Sequence, residues 1–265
     1  MGRTEKNIDD IYLTICKDLL HAPKVGNTRE LRDVKLVLTD ISNNIVSVRD
    51  ISPSYLFGEL LWYFTGKNDV EFIAKFSKMW ERLSDDDVTN NSAYGFLMKY
   101  AHEFDQIEKM IELLQHDPES RRAVINLNTP NPWVIETKDE PCTIALQFLI
   151  RNGKLYCTTM MRSNDIWFGL PYDIAFFTTL QKYIATRLDV EYGTYTHFVT
   201  SLHMYDRDAE QISKIVDDPT SKPINFNESA FFRNYDFLAG LVSHSRNPKE
   251  DVIQLFKDFN IYKEE

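Results

Sequence analysis

Residues 144–161 read IALQFLIR-NG-KLYCTTMM, two runs rich in apolar and β-branched residues held apart by Asn152-Gly153 alone. Asn and Gly both tolerate positive φ, so a two-residue turn closes the runs into an antiparallel hairpin. A hairpin in mid-chain argues against regular βαβ succession. Working outward, 122–128 reads as a strand, a long helix runs from Pro171 to about position 188, and 194–204 is strand-like. Toward the N-terminus, Ile8, Ile11, Tyr12, Ile15, Leu19 and Leu20 recur at helical spacing, predicting a helix over 5–21. Val34, Leu36 and Leu38 alternate with Lys35, Val37 and Thr39 as a strand does, and Ser52-Pro53 opens an apolar helix over 55–64 that stops before Gly66. A helix is expected over 69–83, a solvated turn at the acidic run 85–87, and helices again at 206–216 and 247–258. Helices and strands mixed in this way predict an α+β fold.

The chain has 265 residues, 43% of them hydrophobic and 13% aromatic, enough for one core, and a single domain over 1–265 is expected. Thirty basic against forty acidic residues leave a net charge of −10, which excludes general nucleic-acid binding but permits a local basic pocket. No run of eighteen apolar residues exists and the charged N-terminus lacks a signal-peptide core, so no membrane partner is expected. Cys16, Cys142 and Cys157 show no CxxC spacing, which fits a reducing cytoplasm, and no metal site is expected.

Cys142, in Asp139-Glu140-Pro141-Cys142-Thr143, stands at the mouth of the first hairpin strand. An isolated cysteine is commonly a buried structural thiol. As a nucleophile it would need nearby positive charge to hold a thiolate. Arg121, Arg122 and Arg162, with Ser163, supply such charge and would also make a phosphate clamp, because guanidinium forks match phosphate oxygens.

Taken in order, Glu59-Leu60-Leu61-Trp62, the run Asp117-Pro118-Glu119-Ser120-Arg121-Arg122, Pro141-Cys142, Arg162-Ser163 followed by Asp165 and Gly169-Leu170-Pro171, and His203 with Tyr205 resemble the thymidylate synthase superfamily from about residue 25 to 215. The resemblance implies a large mixed sheet flanked by helices and a homodimer formed through the sheet face. It also implies a pyrimidine nucleotide as substrate and 5,10-methylenetetrahydrofolate as co-substrate. By it, Cys142 resembles the nucleophile that adds to C6 of the pyrimidine. Arg29, Arg162 and Ser163 resemble phosphate ligands, and Arg121 and Arg122 a pair contributed across the dimer interface. His203 and Tyr205 resemble partners of the ribose hydroxyl, and Asn164 and Asp173 fall in the nucleotide-binding stretch. Glu59 resembles the carboxylate that handles protons at the ring, and Tyr94 a tyrosine beside the nucleophile. Trp80, Asp165 and Gly169 resemble folate contacts. His197 has no evident partner and reads as core.

The departures from the synthases carry the substrate reading. Synthases usually have Pro-Phe-Asn where this chain has Pro171-Tyr172-Asp173. An amide pairs with uracil, which presents one donor and one acceptor. A carboxylate only accepts and complements the N4 amino group and protonated N3 of cytosine. A mispaired buried polar group is costly, so Asp173 points to a cytosine nucleotide. Thr143 after the nucleophile, Met161-Arg162-Ser163-Asn164-Asp165, and Ser201-Leu202-His203 are all similar to the phage-type deoxycytidylate hydroxymethylases. The closing residues 260–265 lack the short apolar tail usual in synthases, so water would reach the one-carbon intermediate. The expected reaction is 5-hydroxymethylation of dCMP in the cytoplasm, that of the host if the source is viral. C5-methylation of dUMP or dCMP and hydroxymethylation of CMP remain as alternatives. Segments 1–24, read as an N-terminal helix, and 217–265, a variable C-terminal segment, carry no functional motif.

Overall fold

Asn152 and Gly153 both adopt positive φ, 51° and 72°, and close the expected hairpin in a two-residue turn. The structure is a computed structural model that describes residues 2–128 and 136–263; the last two residues of the C-terminal segment lie outside it. Its strands are β1 (Gly2–Glu5), β2 (Lys24–Val25), β3 (Thr28–Leu38), β4 (Val124–Asn126), β5 (Thr143–Arg151), β6 (Lys154–Met161), β7 (Asn164–Asp165), β8 (Glu191–Tyr205), β9 (Asn225–Phe226) and β10 (Tyr262–Lys263). Its helices are α1 (Ile8–Leu20), α2 (Pro53–Phe64), α3 (Val70–Ile73), α4 (Met79–Leu83), α5 (Tyr94–Lys99), α6 (Gln106–His116), α7 (Leu170–Leu188), α8 (Ala209–Asp217), α9 (Glu228–Ser243) and α10 (Pro248–Asp258).

The main sheet runs β1-β3-β8-β6-β5-β4, with β2 on β3 and β7 on β8. β3 and β5 lie antiparallel to β8 and β6 respectively, whereas β6 and β8 are parallel, so the sheet is mixed and the α+β expectation holds. The chain divides into two compact units, Met1–Ile51 with Met110–Val124 and Cys142–Pro223, and Ser52–Lys109 with Ile125–Pro141 and Ile224–Glu265.

In the first unit, α7 packs along β6 and β8, and α1 packs on β1, β3 and α8. Asn7 caps α1, and the Tyr12 hydroxyl donates to the Ile166 carbonyl at 3.2 Å, tying α1 to the segment after β7. Along β8 the buried positions are Tyr195, His197 and Val199, then Leu202 and Met204, so the alternation slips by one residue. The slip lies opposite Asp33 on β3, which has φ 54°. Because of it, His203 and Tyr205 escape the full burial met by the odd-numbered positions before them.

In the second unit, α2 buries every residue from Leu56 to Phe64. Phe57 stacks on Phe256 of α10 at 4.3 Å, and Phe64 meets Phe231 of α9 edge-on at 5.0 Å. The segment after 217, without a motif in sequence, thus supplies core against the helix that carries Glu59.

Several boundaries differ from expectation. The helix expected over 5–21 begins at Ile8, because residues 2–5 pair with β3. The helix expected over 69–83 is two short ones: Asp69 caps α3, which stops after Ile73, and α4 begins only at Met79. The strand expected over 122–128 is three residues long, and the helix over 206–216 opens with a 3₁₀ turn at Asp206–Asp208.

Candidate active site

Cys142 immediately precedes β5 and is half-buried, whereas Cys16 and Cys157 are wholly buried. Burial pushes the Cys16 thiol up to about 12 and raises Cys157 as well, so both stay protonated and inert. The backbone N–H of Arg162 donates to the Cys142 carbonyl at 2.9 Å, extending the hairpin ladder by one rung. The hairpin therefore sets the Arg162-Ser163 corner beside the cysteine, as the sequence order required.

β7 then lies parallel to β8 with Asn164 opposite Leu202 and Asp165 opposite His203. Burial raises the Asp165 carboxyl, and the neighbouring His203 opposes that rise. Its Oδ1 accepts from the Trp167 N–H at 2.8 Å. The His203 and Tyr205 rings meet edge-on at 5.3 Å. Arg29 sits in register with Met204 on β3, and its Nη1 donates to the Ala22 carbonyl at 2.9 Å.

Asp173 occupies the first turn of α7, its N–H donating to Gly169. Asn164 Nδ2 donates to its Oδ2 at 2.7 Å. Burial raises the carboxyl to about 7, opposed by that hydrogen bond. A Cβ at Gly169 would stand 2.6 Å from Asn164 Nδ2 and 3.0 Å from the Asp165 carbonyl, so the glycine there makes room for the amide.

Arg121 and Arg122 are exposed, and Arg122 pairs loosely with Asp117 at 3.5 Å. Gln147 donates to the Arg121 carbonyl and the Phe148 N–H to Ala123, fixing this corner five to six residues along β5 from Cys142. At about 3.3 Å per residue that is roughly 17–20 Å. Within one chain the pair and the Arg162-Ser163 corner are thus held at different points along β5.

In the second unit, Tyr55 lies one turn before Glu59 on α2 and donates to its Oε1 at 2.6 Å. Trp80 Nε1–H donates to the Tyr55 hydroxyl at 3.2 Å. Glu59 and Trp80, both 6% exposed, are thus joined through a tyrosine that the sequence reading missed; its i, i+4 spacing to Glu59 was the available signal. Tyr94 stacks on Tyr63 at 5.3 Å, and Gly95 touches the Tyr63 backbone so closely that a Cβ would lie 1.9 Å from the carbonyl oxygen.

The sequence reading also missed Arg49, which is 6% exposed with Nε and Nη1 lacking partners among the described residues. Trp167, Tyr172 and Phe168 surround its guanidinium at 4.6, 5.5 and 5.8 Å. Among the described residues no cluster of His, Cys, Asp and Glu is placed to hold a metal ion, and no helix is long and apolar enough to cross a membrane.

A sequence model described as thymidylate synthase matches residues 11–239. The chain belongs to the thymidylate synthase family. A protein of Bacillus phage SP01 named deoxyuridylate hydroxymethyltransferase is 33% identical over 213 residues, covering 74% of this chain and 55% of that protein. One of the same name from Pseudomonas phage M6 is 32% identical over 64% of this chain and 49% of its own length. The chain thus spans about half the length of the phage relatives it matches. The thymidylate synthase of Clostridium beijerinckii is 28% identical over 76% of this chain and 79% of its own. The structure of thermostable thymidylate synthase A from Bacillus subtilis superposes with a TM-score of 0.71, at 22% identity, over 84% of this chain and 89% of that one, which establishes the fold.

Proposed function

We propose that this family member is a deoxycytidylate 5-hydroxymethyltransferase that uses 5,10-methylenetetrahydrofolate and water. The observation that carries the reading is the half-buried Asp173 carboxylate, which takes an amide donor from Asn164 and so presents an acceptor where an amide would present a donor as well. A cytosine ring, with its N4 amino group and an N3 that is protonated on addition, meets that acceptor.

In this reading the Cys142 sulfur bonds to C6, opening the 5,6 double bond and making C5 the nucleophile toward the one-carbon unit. C5 bonds to that unit and loses its proton as tetrahydrofolate leaves, water adds to the resulting exocyclic methylene, and Cys142 departs from C6 as the 5,6 double bond re-forms. Glu59, oriented by Tyr55, carries the protons. Arg29, Arg162 and Ser163 hold the phosphate, His203 and Tyr205 the sugar, and Tyr94 backs the nucleophile. Trp80, Asp165 and Gly169 serve the folate. The paired aromatic wall and unspent donors of Arg49 suit a flat, acidic ligand of that kind. The separation of Arg121-Arg122 from Arg162 supports a homodimer in which the partner contributes the pair. An uncovered sheet face with Val124, Ile144 and Met160 between 37% and 39% exposed gives such a dimer its surface.

A second reading, hydroxymethylation of dUMP, is favoured by the names of the phage relatives and by a carboxyl that titrates at about 7, since a protonated Asp173 donates to uracil O4. Mass spectrometry of products from a dCMP, CMP and dUMP mixture with methylenetetrahydrofolate separates them. A gain of CH2O on dCMP supports the proposal; product from dUMP alone, or a gain of CH2, overturns it.

A further inference from the structure

Asn164 is buried, and its Oδ1 lies 3.0 Å from His197 Nε2. His197 Nδ1 lies 2.9 Å from the Tyr195 hydroxyl, which in turn is 3.0 Å from Thr159 Oγ1. His197, Tyr195 and Thr159 are all at most 1% exposed. Burial drives the His197 ring down to about 3, so the imidazole is neutral and carries one proton. Burial likewise raises the Tyr195 hydroxyl, which stays protonated.

Asn164 gives its NH2 to Asp173, and this turns its amide oxygen to His197. That oxygen requires a donor, so the proton of His197 sits on Nε2. Nδ1 is then bare, an acceptor facing the Tyr195 hydroxyl, which also lies beside Thr159 Oγ1. Beyond it, the Cys157 thiol exchanges a hydrogen bond with Thr159.

We infer that His197 is a specificity-determining positioning residue: by donating from Nε2 to Asn164, it prevents the amide from flipping and keeps Asp173 an acceptor toward the substrate base. With the donor gone, the flipped amide would place its oxygen against Asp173, which is tolerable only when the carboxyl is protonated and has lost the negative charge that matches the cytosine edge. The inference rests on the reading that Asp173 faces the base.

The test is the ratio of dUMP to dCMP dissociation constants, measured by calorimetry on the full chain, for Asp173→Asn, His197→Phe and the double variant, each checked for a cooperative melt. His197→Phe keeps the ring volume and is expected to shift the ratio about tenfold toward dUMP, the scale of one hydrogen bond to a charged group. In the Asp173→Asn background it should shift nothing further, because no carboxylate remains to steer. A purely structural effect would change affinity for both nucleotides alike and would persist in the double variant. If Asp173→Asn moves the ratio and His197→Phe does not, His197 is core and the inference is overturned. If Asp173→Asn itself moves nothing, the base reading fails and takes the inference with it.

Should His197→Phe not fold, Tyr195→Phe removes the hydroxyl that holds Nδ1, and a shift in the same direction is expected. Nitrogen-15 spectra of the unsubstituted protein give an independent check. A neutral His197 protonated on Nε2 is expected, and a proton on Nδ1 refutes the orientation whatever the substrate.

Discussion

Replacing Tyr55 with Phe removes one oxygen and with it two contacts, the 2.6 Å bond to Glu59 and the 3.2 Å bond from Trp80. The rings of Tyr and Phe superpose, so packing on α2 is kept. Trp80 is 6% exposed, and its indole N–H would lose its acceptor where water hardly reaches. An orphaned buried donor costs about 1–3 kcal/mol, and a hydrogen bond to a carboxylate contributes about 1.5–3 kcal/mol. Allowing for overlap between the two, Tyr55→Phe should destabilise by about 2–4 kcal/mol, or roughly 5–10 °C in melting temperature for a chain of this size. Because Glu59 keeps its carboxylate but loses its orienting donor, kcat should fall by one to two orders of magnitude, about 1.4 kcal/mol for each tenfold. The KM for nucleotide should change little, since the residues proposed to hold the phosphate and sugar lie on other elements. A double-mutant cycle of Tyr55→Phe with Trp80→Phe should show coupling of about 1 kcal/mol. Additive melts combined with an unchanged kcat would refute the relay and leave Tyr55 an ordinary surface residue of α2.

Gly169→Ala should depress dCMP affinity at least tenfold and cost about 1–3 kcal/mol in urea melts, because its Cβ would crowd Asn164 Nδ2 and the Asp165 carbonyl. Iodoacetamide should modify Cys142 in the native protein and reach Cys16 and Cys157 only after unfolding; peptide mapping that finds either buried thiol labelled first would contradict the burial. Asp173 carries a raised folded-state value of about 7, so the folded chain binds more protons than the unfolded one between about 4 and 7 and loses stability as pH rises through that window. Asp173→Asn should therefore gain stability relative to the unsubstituted protein on going from about pH 5 to pH 8, and a constant difference would show that the carboxyl is not raised. His197, lowered to about 3, acts in the opposite sense, its contribution being lost as pH falls from 6.5 toward 3. Ile144→Arg on the uncovered sheet face should give monomers by sedimentation and abolish turnover; full activity as a monomer would sink the shared-arginine proposal.

The parts of the fold legible in sequence are those decided locally. Asn152-Gly153 specifies its own turn, and Ser52-Pro53 specifies a helix start through a side-chain cap and a preset φ. Helix α9 was not legible, because Phe237 and Leu241 are exposed and blur the stripe formed by Phe231, Leu238 and Val242. The start of α3 is fixed by tertiary pairing: the Val70 N–H donates to Val88, and Asp69 bridges to Thr89. Of the candidate site residues, Cys142, Arg162 and Asp173 are legible as members of ordered motifs. His197 is not, because its informative partner, Asn164, stands 33 positions away and is delivered by the β7–β8 pairing. Arg49 likewise has no signal until Trp167 and Tyr172 are seen around it.

The tip at Asn152-Gly153 offers a practical handle. Both residues are exposed, and nothing lies within 4 Å of a Cβ built on Gly153. The tip stands at the far end of β5 from Cys142, nine residues and about 30 Å along the strand. Lengthening a surface loop costs little entropy, about 0.6 kcal/mol for each doubling. A short epitope or a fluorophore-bearing peptide spliced at this corner would report on the molecule in a crowded cell extract without coming near Cys142.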